Sequence, residues 1–511
     1  MHLYTILAFA ILFWRAEDPE SWILLDEKQL RWILPFVLAQ PLLFGILGTL
    51  AARRTQHLLA LHPDAPHLAQ LFYHRSTLWL RTGLLAGFAC AVLLTAWPDL
   101  FDFSRIHPTL QIIGDLIVLT PFVGGLIATW VAVYPLESRL RSLPSISMHA
   151  GEPADDDQQA WSLRTFLDFN LRHHFLVVAA PMTLILFAAN VLRGYESSLR
   201  EWSGWELTPD CMLGAVALGV FTVAPAMLIR IWRTTPLEAG PVRDRLENVC
   251  HRIRLRCRAI LVWHSDGIML NAAVMGLIPG VRYVLLSDAL LATMTPRQIE
   301  AVFAHEAGHI RKHHIQSFLL FAFVGWLLVA GLMELLARST NSTESAWTFS
   351  VGTIQGVGLV ATALFWTLGF GWLSRKFERQ ADLYGARCVT PAANDCHLPC
   401  SLHPTEHIRV SGPGRVCATG AELFASALDR VAVLNGIPHE ERSWRHSSIG
   451  SRIRFLTSLA GDPRRAARFD RLLRVVRFSI LGLAVAGAVA TAYYWTVVPE
   501  PAILRLEAGG P

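Results

Sequence analysis

Two short stretches of this chain carry residue types at spacings that can hold a metal ion. His305-Glu306-Ala307-Gly308-His309 puts two imidazoles at i and i+4, on one helix face, where both can point at a single cation. Glu306, beside the first imidazole, then reaches a water bound to that cation. Further on, Ser374-Arg375-Lys376-Phe377-Glu378-Arg379-Gln380-Ala381-Asp382 puts Glu378 and Asp382 at the same spacing. That suits a carboxylate ligand followed by a carboxylate that orients a ligand histidine. The chemistry open to such a set is metal-assisted hydrolysis: the cation activates water and polarises a carbonyl, while Glu306 takes a proton and passes it to the leaving group.

Each stretch has a bland explanation too. With 20 His in 511 residues, an H-E-x-x-H arises by chance on the order of a few per cent of the time, and an acidic i, i+4 pair is often only a solvated helix face. The elements between them argue otherwise. Two apolar runs, Ser317 to Ala337 and Phe349 to Leu373, are each long enough to cross a bilayer, so the chain leaves one face of the membrane and returns to it. Both stretches emerge near the end of a membrane helix and can meet. The helix carrying His305 is expected to begin after Thr295, which precedes Pro296 in the N-cap and N1 places.

The composition supports a membrane setting. Hydrophobic residues make up 53% of the chain and charged residues 17%, with a mean hydropathy of +0.38, too apolar for an ordinary soluble protein. Further apolar runs lie at Trp32 to Leu50, Leu78 to Trp97, Leu110 to Tyr134, Phe175 to Leu192, Cys211 to Trp232 and Phe478 to Val498, giving about eight spans. A ninth is added if Met1 to Trp14 crosses; that run lacks a basic flank and a cleavage site, so no removable signal peptide is expected. Arginines concentrate in alternate loops, including Arg233 to Gln316 and Ser374 to Arg477, and this arginine-rich face is expected to be cytoplasmic. The formal charge of +5 is small and scattered, so no nucleic-acid partner is expected.

Short strands are expected at Ala259 to Trp263, Asn271 to Met275 and Tyr283 to Ser287, and a solvated connection with little fold of its own over Pro135 to Arg172. Other candidate groups rank lower. His313 and His314 are expected to form a polar collar at the membrane surface, because Lys312 and Ile315 stand where a longer histidine ligand series needs Gly and His. Cys388, Cys396, Cys400 and Cys417 are irregularly spaced and are expected to stay reduced rather than form a second metal site. Asp115, inside the third run, either lines a wet cavity or reaches the interface.

Taken together, these stretches resemble the gluzincin integral-membrane metallopeptidases, the family of the CaaX prenyl proteases and HtpX. The resemblance runs from about Arg254 to Leu456, through Asn271-Ala272, Arg282-Tyr283-Val284-Leu285-Leu286-Ser287-Asp288, the His305 and Glu378 motifs, and Trp444-Arg445-His446-Ser447-Ser448-Ile449-Gly450-Ser451-Arg452-Ile453. It implies one zinc per chain on His305, His309 and Glu378, with Glu306 as general base and Asp382 behind the ligands. It further implies a substrate strand added at Asn271 and Ala272, and His446 and Arg452 near the scissile carbonyl or bracing the Glu378 helix. Where the family often has proline after that histidine, this chain has Ser447.

The expected fold is mainly α, a polytopic membrane protein of about eight transmembrane helices with a zincin-like cytoplasmic catalytic region carrying a small β-sheet. Its parts are a membrane region over 1–232, a first catalytic segment over 233–316, a two-span hairpin over 317–373, a second catalytic segment over 374–476 and a C-terminal span and tail over 477–511. The expected function is zinc endopeptidase action on membrane proteins or peptides beside the lipid bilayer, in a bacterial inner membrane. Two rivals stand against it. A transporter with an accidental motif would bind no metal there, and a proteolytically silent metal-binding scaffold would have no need of Glu306.

Overall fold

A segment that leaves water for hydrocarbon must satisfy its amides internally, so long apolar runs become helices. In a computed structural model of the chain, residues 2–17, 29–62, 66–141, 162–205, 208–267, 269–341, 349–390, 416–435, 437–441, 444–460 and 462–497 are described. Among them, eight helices are long and apolar enough to cross a membrane: Leu30–Leu61, Leu71–Leu93, Pro108–Arg139, Leu163–Gly194, Thr208–Ile231, His314–Thr340, Val351–Val389 and Pro463–Tyr494. Each overlaps one of the eight apolar runs. The chain is a multi-span, mainly helical membrane protein with a small mixed sheet, and it divides into two compact units, Met1–Thr234 and Thr235–Pro511.

The first unit packs its helices around Phe9, Ile33, Val37, Phe88, Phe122 and Leu186, all buried, while Leu38, Leu42 and Leu50 on the second helix are exposed. That division suits a bundle whose outer face meets lipid. The N-terminal run is a helix, His2–Glu17, of 16 residues, about 24 Å long at ~1.5 Å per residue. It buries Ala8 and Phe9 in the unit and anchors its far end through Arg15, which donates to both Asp99 oxygens at 2.8 Å. The expected solvated connection over Pro135 to Arg172 is shorter than the sequence suggests. The helix Thr120–Arg141 runs on past Pro135, holding Leu136 in the core, and a new helix starts at Leu163 under a Ser162 cap whose hydroxyl accepts from the Thr165 N–H. Residues 142–161 lie outside the described part. Asp115 accepts from Asn190 Nδ2 at 2.6 Å and Gln111 Nε2 at 3.1 Å, so its carboxylate is paired within the unit.

The second unit carries a four-stranded sheet, β1 (Thr234–Pro236), β2 (Ala259–Trp263), β3 (Ala272–Met275) and β4 (Tyr283–Ser287), in the order β1-β2-β4-β3. β2 and β4 are parallel, with Leu261 opposite Leu285, and β3 is antiparallel to β4, with Val274 opposite Val284. β1 and the helix Pro241–Arg252 had no clear signal in the sequence. The core between sheet and helices holds Val284, Leu286, Leu290, Phe303, Ala307, Leu383, Ala386 and Phe424. The two motif-bearing helices join the membrane helices in different ways. The HExxH helix, Pro296–Arg311, starts under a Thr295–Gln298 capping box and ends at Lys312. His313 then adopts φ +55° before the membrane helix His314–Asn341 begins. The Glu378 helix, Gly371–Val389, instead continues a membrane helix without leaving helical conformation: Val351–Leu364 passes through a π-helical turn, Phe365–Phe370, into it. The C-terminal membrane helix begins at Pro463, well before the apolar run at Phe478.

Candidate metal centre

The HExxH and Glu378 helices pack face to face, and small residues let them approach. A Cβ on Gly308 would sit 3.2 Å from Tyr384 Cβ and 3.3 Å from Ala381 Cα, and one on Gly385 would sit 3.2 Å from the His305 backbone nitrogen and run into the Phe424 ring. Glycine at both positions keeps the ligand-bearing faces close.

His305, His309 and Glu378 meet there, with one possible ligand atom from each lying within 4.8 Å of the others. His305 Nε2 is 3.3 Å from His309 Nε2, and the two Glu378 oxygens lie 3.7 Å from the two imidazole nitrogens. Three ligands arranged tetrahedrally at ~2.0–2.1 Å from zinc stand about 3.3–3.4 Å apart. The observed spacings are therefore those of a site that closes on such an ion with side-chain shifts of tenths of an ångström. Two imidazoles and one carboxylate also match the donor set of an open catalytic site, with a fourth position free for water.

The surroundings orient these groups. Asp382 Oδ1 lies 3.0 Å from His305 Nδ1, which turns Nε2 toward the other two ligands. Arg452, from the helix Ile449–Thr457, donates to both Asp382 oxygens at 2.8 and 2.6 Å and stands 3.6 Å from Glu378. Burial disfavours the charged guanidinium, but Asp382 outweighs that and raises its pKa. Burial likewise opposes a charged His305, and Asp382 again outweighs it, raising the imidazole. His309, without a carboxylate so near, is pushed down to about 4 by burial and by His305. Burial pushes the Glu306 carboxyl up to about 7, with His305 opposing it, which is the range in which a carboxylate accepts and returns a proton near neutral pH.

His446 Nδ1 lies 3.2 Å from Glu378 Oε1 and its side chain is 47% exposed, so it stands at the open side of the site. Its loop is pinned to the Glu378 helix. Trp444 Nε1 donates to the carbonyl of Thr367, in the π-helical turn, at 2.7 Å, and the Trp444 carbonyl accepts from Arg375 at 2.7 Å. Ser447 has φ +51°, a value closed to proline, so this loop takes a shape that the family's usual proline would not permit.

Asn271 and Ala272 lie at β3, the edge of the sheet, though the strand starts at Ala272. The Ser287 N–H donates to the Asn271 carbonyl at 3.0 Å. Antiparallel pairing alternates, so the N–H and C=O of Ala272 and Val274 face away from β4, toward the free edge.

One expectation changes. His313 is exposed, but His314 is fully buried and is no surface collar; its Nδ1 lies 2.9 Å from His309 Nδ1. The left-handed turn at His313 re-aims the chain, so the i, i+5 spacing, which scatters two side chains on a straight helix, brings these two together. Of the four cysteines, Cys388 and Cys417 are thiols rather than disulfides, Cys417 Sγ accepting from the Gly420 N–H at 3.2 Å, and Cys396 and Cys400 lie outside the described residues.

The chain is similar to known proteins over part of its length. Residues 236–457 match Peptidase family M48. CAAX prenyl protease 1 of Saccharomyces cerevisiae is 28% identical over 134 residues, 25% of this chain and 29% of that protein. Protease HtpX of a Psychrobacter species is 30% identical over 130 residues, 24% of this chain and 42% of its own. The matched part thus spans well under half the length of these relatives. A crystal structure of S. mikatae Ste24p aligns over 83% of this chain and 99% of its own at 15% identity and a TM-score of 0.48.

Proposed function

With residues 236–457 matching Peptidase family M48 and set among membrane helices, we propose that the chain is a membrane-embedded zinc endopeptidase. The observation that carries this is the approach of His305, His309 and Glu378 to 3.3–3.7 Å of one another beside a half-buried Glu306. Zinc in that position would supply a Lewis acid that polarises the peptide carbonyl and makes water a nucleophile at neutral pH.

The chain's own residues do the rest. Glu306 accepts the proton of the attacking water and hands it to the departing amine, so no covalent intermediate is needed. Asp382 holds His305, and Arg452 holds Asp382 and balances the carboxylates. His446, at the open side, is placed to donate to the developing oxyanion. The free edge of β3 at Ala272 and Val274 offers an N–H and a C=O every second residue to an extended substrate, fixing its backbone while reading its side chains loosely. Substrates are membrane proteins or peptides presented at the bilayer surface. Segments 233–316 and 374–476 form the catalytic region on the cytoplasmic side, most simply of a bacterial inner membrane, while the membrane region over 1–232 and the hairpin over 317–373 span the bilayer.

Glu306→Gln tests the reading. It should lower cleavage of a membrane-presented reporter peptide by at least about 10²–10⁴-fold, the contribution of a positioned general base, while zinc content stays at one per chain. Substantial residual activity would remove Glu306 from the mechanism, and loss of zinc would make its role structural.

A further inference from the structure

His309 uses one ring nitrogen toward the other ligands; the second points away from them, into an unbroken line of polar groups whose first two members are buried. His309 Nδ1 lies 2.9 Å from His314 Nδ1, and His314 Nε2 lies 3.0 Å from Gln380 Oε1. Gln380 Nε2 donates to Asp470 Oδ1 at 2.9 Å, and Asp470 Oδ2 accepts from Arg387 at 2.6 Å. His314 and Gln380 are 0% and 1% exposed, so neither has water as an alternative partner.

The proton positions follow from the far end. An ionised Asp470, paired with Arg387, can only accept, so Gln380 turns its amide nitrogen to Asp470 and its carbonyl to His314. That carbonyl can only accept, so His314 carries its proton on Nε2 and offers a lone pair at Nδ1. His309 must then carry its proton on Nδ1. Its Nε2, the atom 3.3 Å from His305 Nε2, is left with the lone pair a metal requires. Each group admits one orientation, and reversing any of them sets two donors or two acceptors face to face.

We propose that His314, Gln380 and Asp470 are positioning residues that fix the tautomer and ring plane of His309. Asp470 belongs to the C-terminal membrane helix, Pro463–Val497, so that helix acts on the metal centre although it supplies no ligand. The two imidazoles are thus oriented differently: His305 by Asp382 directly, His309 by a carboxylate acting through a glutamine and a second histidine. The proposal rests on His309 being a ligand.

The test is the zinc dissociation constant of the full chain in detergent, by competition with a chromophoric chelator. His314→Phe keeps a ring to stack on Phe377, as His314 does at 4.2 Å between centroids and 3° between planes, but cannot accept a proton. His314→Asn keeps an acceptor for His309, its carbonyl standing near the place of the ring Nδ1, but is too short to reach Gln380. His314→Phe and Gln380→Leu should weaken zinc by about 10–100-fold, the usual cost of losing a group that orients a ligand, and His314→Asn should recover part of that. Asp470→Leu, which frees Gln380 to rotate, should shift the constant in the same direction. Should His314→Phe fail to fold, wild-type affinity in Gln380→Leu alone overturns the proposal. Wild-type affinity in Gln380→Leu together with no difference between His314→Phe and His314→Asn would overturn the proposal, and an unchanged constant in Asp470→Leu would remove the C-terminal helix from it. Failure of the wild-type chain to bind zinc would instead sink the metal-centre reading itself.

Discussion

Arg452 bears the heaviest electrostatic load in the site. Its guanidinium bridges both oxygens of Asp382, and the two side chains are 8% and 0% exposed. Arg452→Met fills most of the same space but leaves Asp382 buried without its cation, and breaking one side of a buried pair costs about 3–5 kcal/mol. Arg454, two residues on, pairs with Glu440 at 2.7 Å, but these side chains are 66% and 67% exposed, where water and salt screen the pair and it contributes little. With roughly 2–4 °C of melting temperature per kcal/mol for a domain of a few hundred residues, Arg452→Met should lower the midpoint by on the order of 10 °C. Arg454→Met, the matched control, should lower it by no more than a few degrees. Arg452→Lys should fall between them, since an ammonium keeps the charge but not the two-pronged geometry. Zinc affinity should drop in Arg452→Met as well, because the carboxylate that holds His305 would itself be loose. Scanning fluorimetry of the purified protein, beside chelator competition, reads both. Equal melting shifts for Arg452→Met and Arg454→Met would refute the reasoning.

Two further outcomes concern the edge strand and the topology. Ala272→Pro removes an outward N–H without touching a bond to β4 and should lower kcat/KM about tenfold or more with little loss of stability, whereas Ala273→Pro breaks the ladder and should destabilise the fold; a kcat/KM for Ala272→Pro equal to wild type would leave the edge without a role in binding. In a cysteine-free background, single cysteines at Glu441 and Ser342 should be protected from and open to a membrane-impermeant thiol reagent, respectively, in intact cells. The opposite pattern would reverse the orientation, and labelling that put His264 and Glu441 on different faces would separate segments that the proposed site requires to share one metal.

What the sequence made legible was local or strictly periodic. Thr295-Pro296 marked the start of the HExxH helix because a capping box with Gln298 is a short-range device. The i, i+4 pairs put His305, His309, Glu378 and Asp382 on facing sides of two helices because helical geometry leaves little choice. The hidden features depended on interruptions. His314 reaches His309 only because His313 takes a left-handed turn, and an i, i+5 spacing gives no reason to expect that. The connection over Pro135 to Arg172 reads as open loop, yet Pro135 sits inside a helix whose next residue, Leu136, is buried in the core. Asp470 lies near the end of the arginine-rich segment Ser374 to Arg477 with no motif of its own, and only tertiary packing turns it toward Gln380. Gly308 and Gly385 look ordinary in sequence, and their purpose is visible only where two helices cross.

Zinc K-edge X-ray absorption on the purified chain, with metal counted on the same sample, tests the central claim most directly. One zinc per chain is expected, with a first shell of only nitrogen and oxygen at about 2.0–2.2 Å, of which two scatterers are imidazoles. His309→Ala and Glu378→Ala should each deplete the metal. A chain that binds no zinc, or a shell containing sulfur at about 2.3 Å that persists in both variants, would place the metal away from His305, His309 and Glu378 and contradict the assignment.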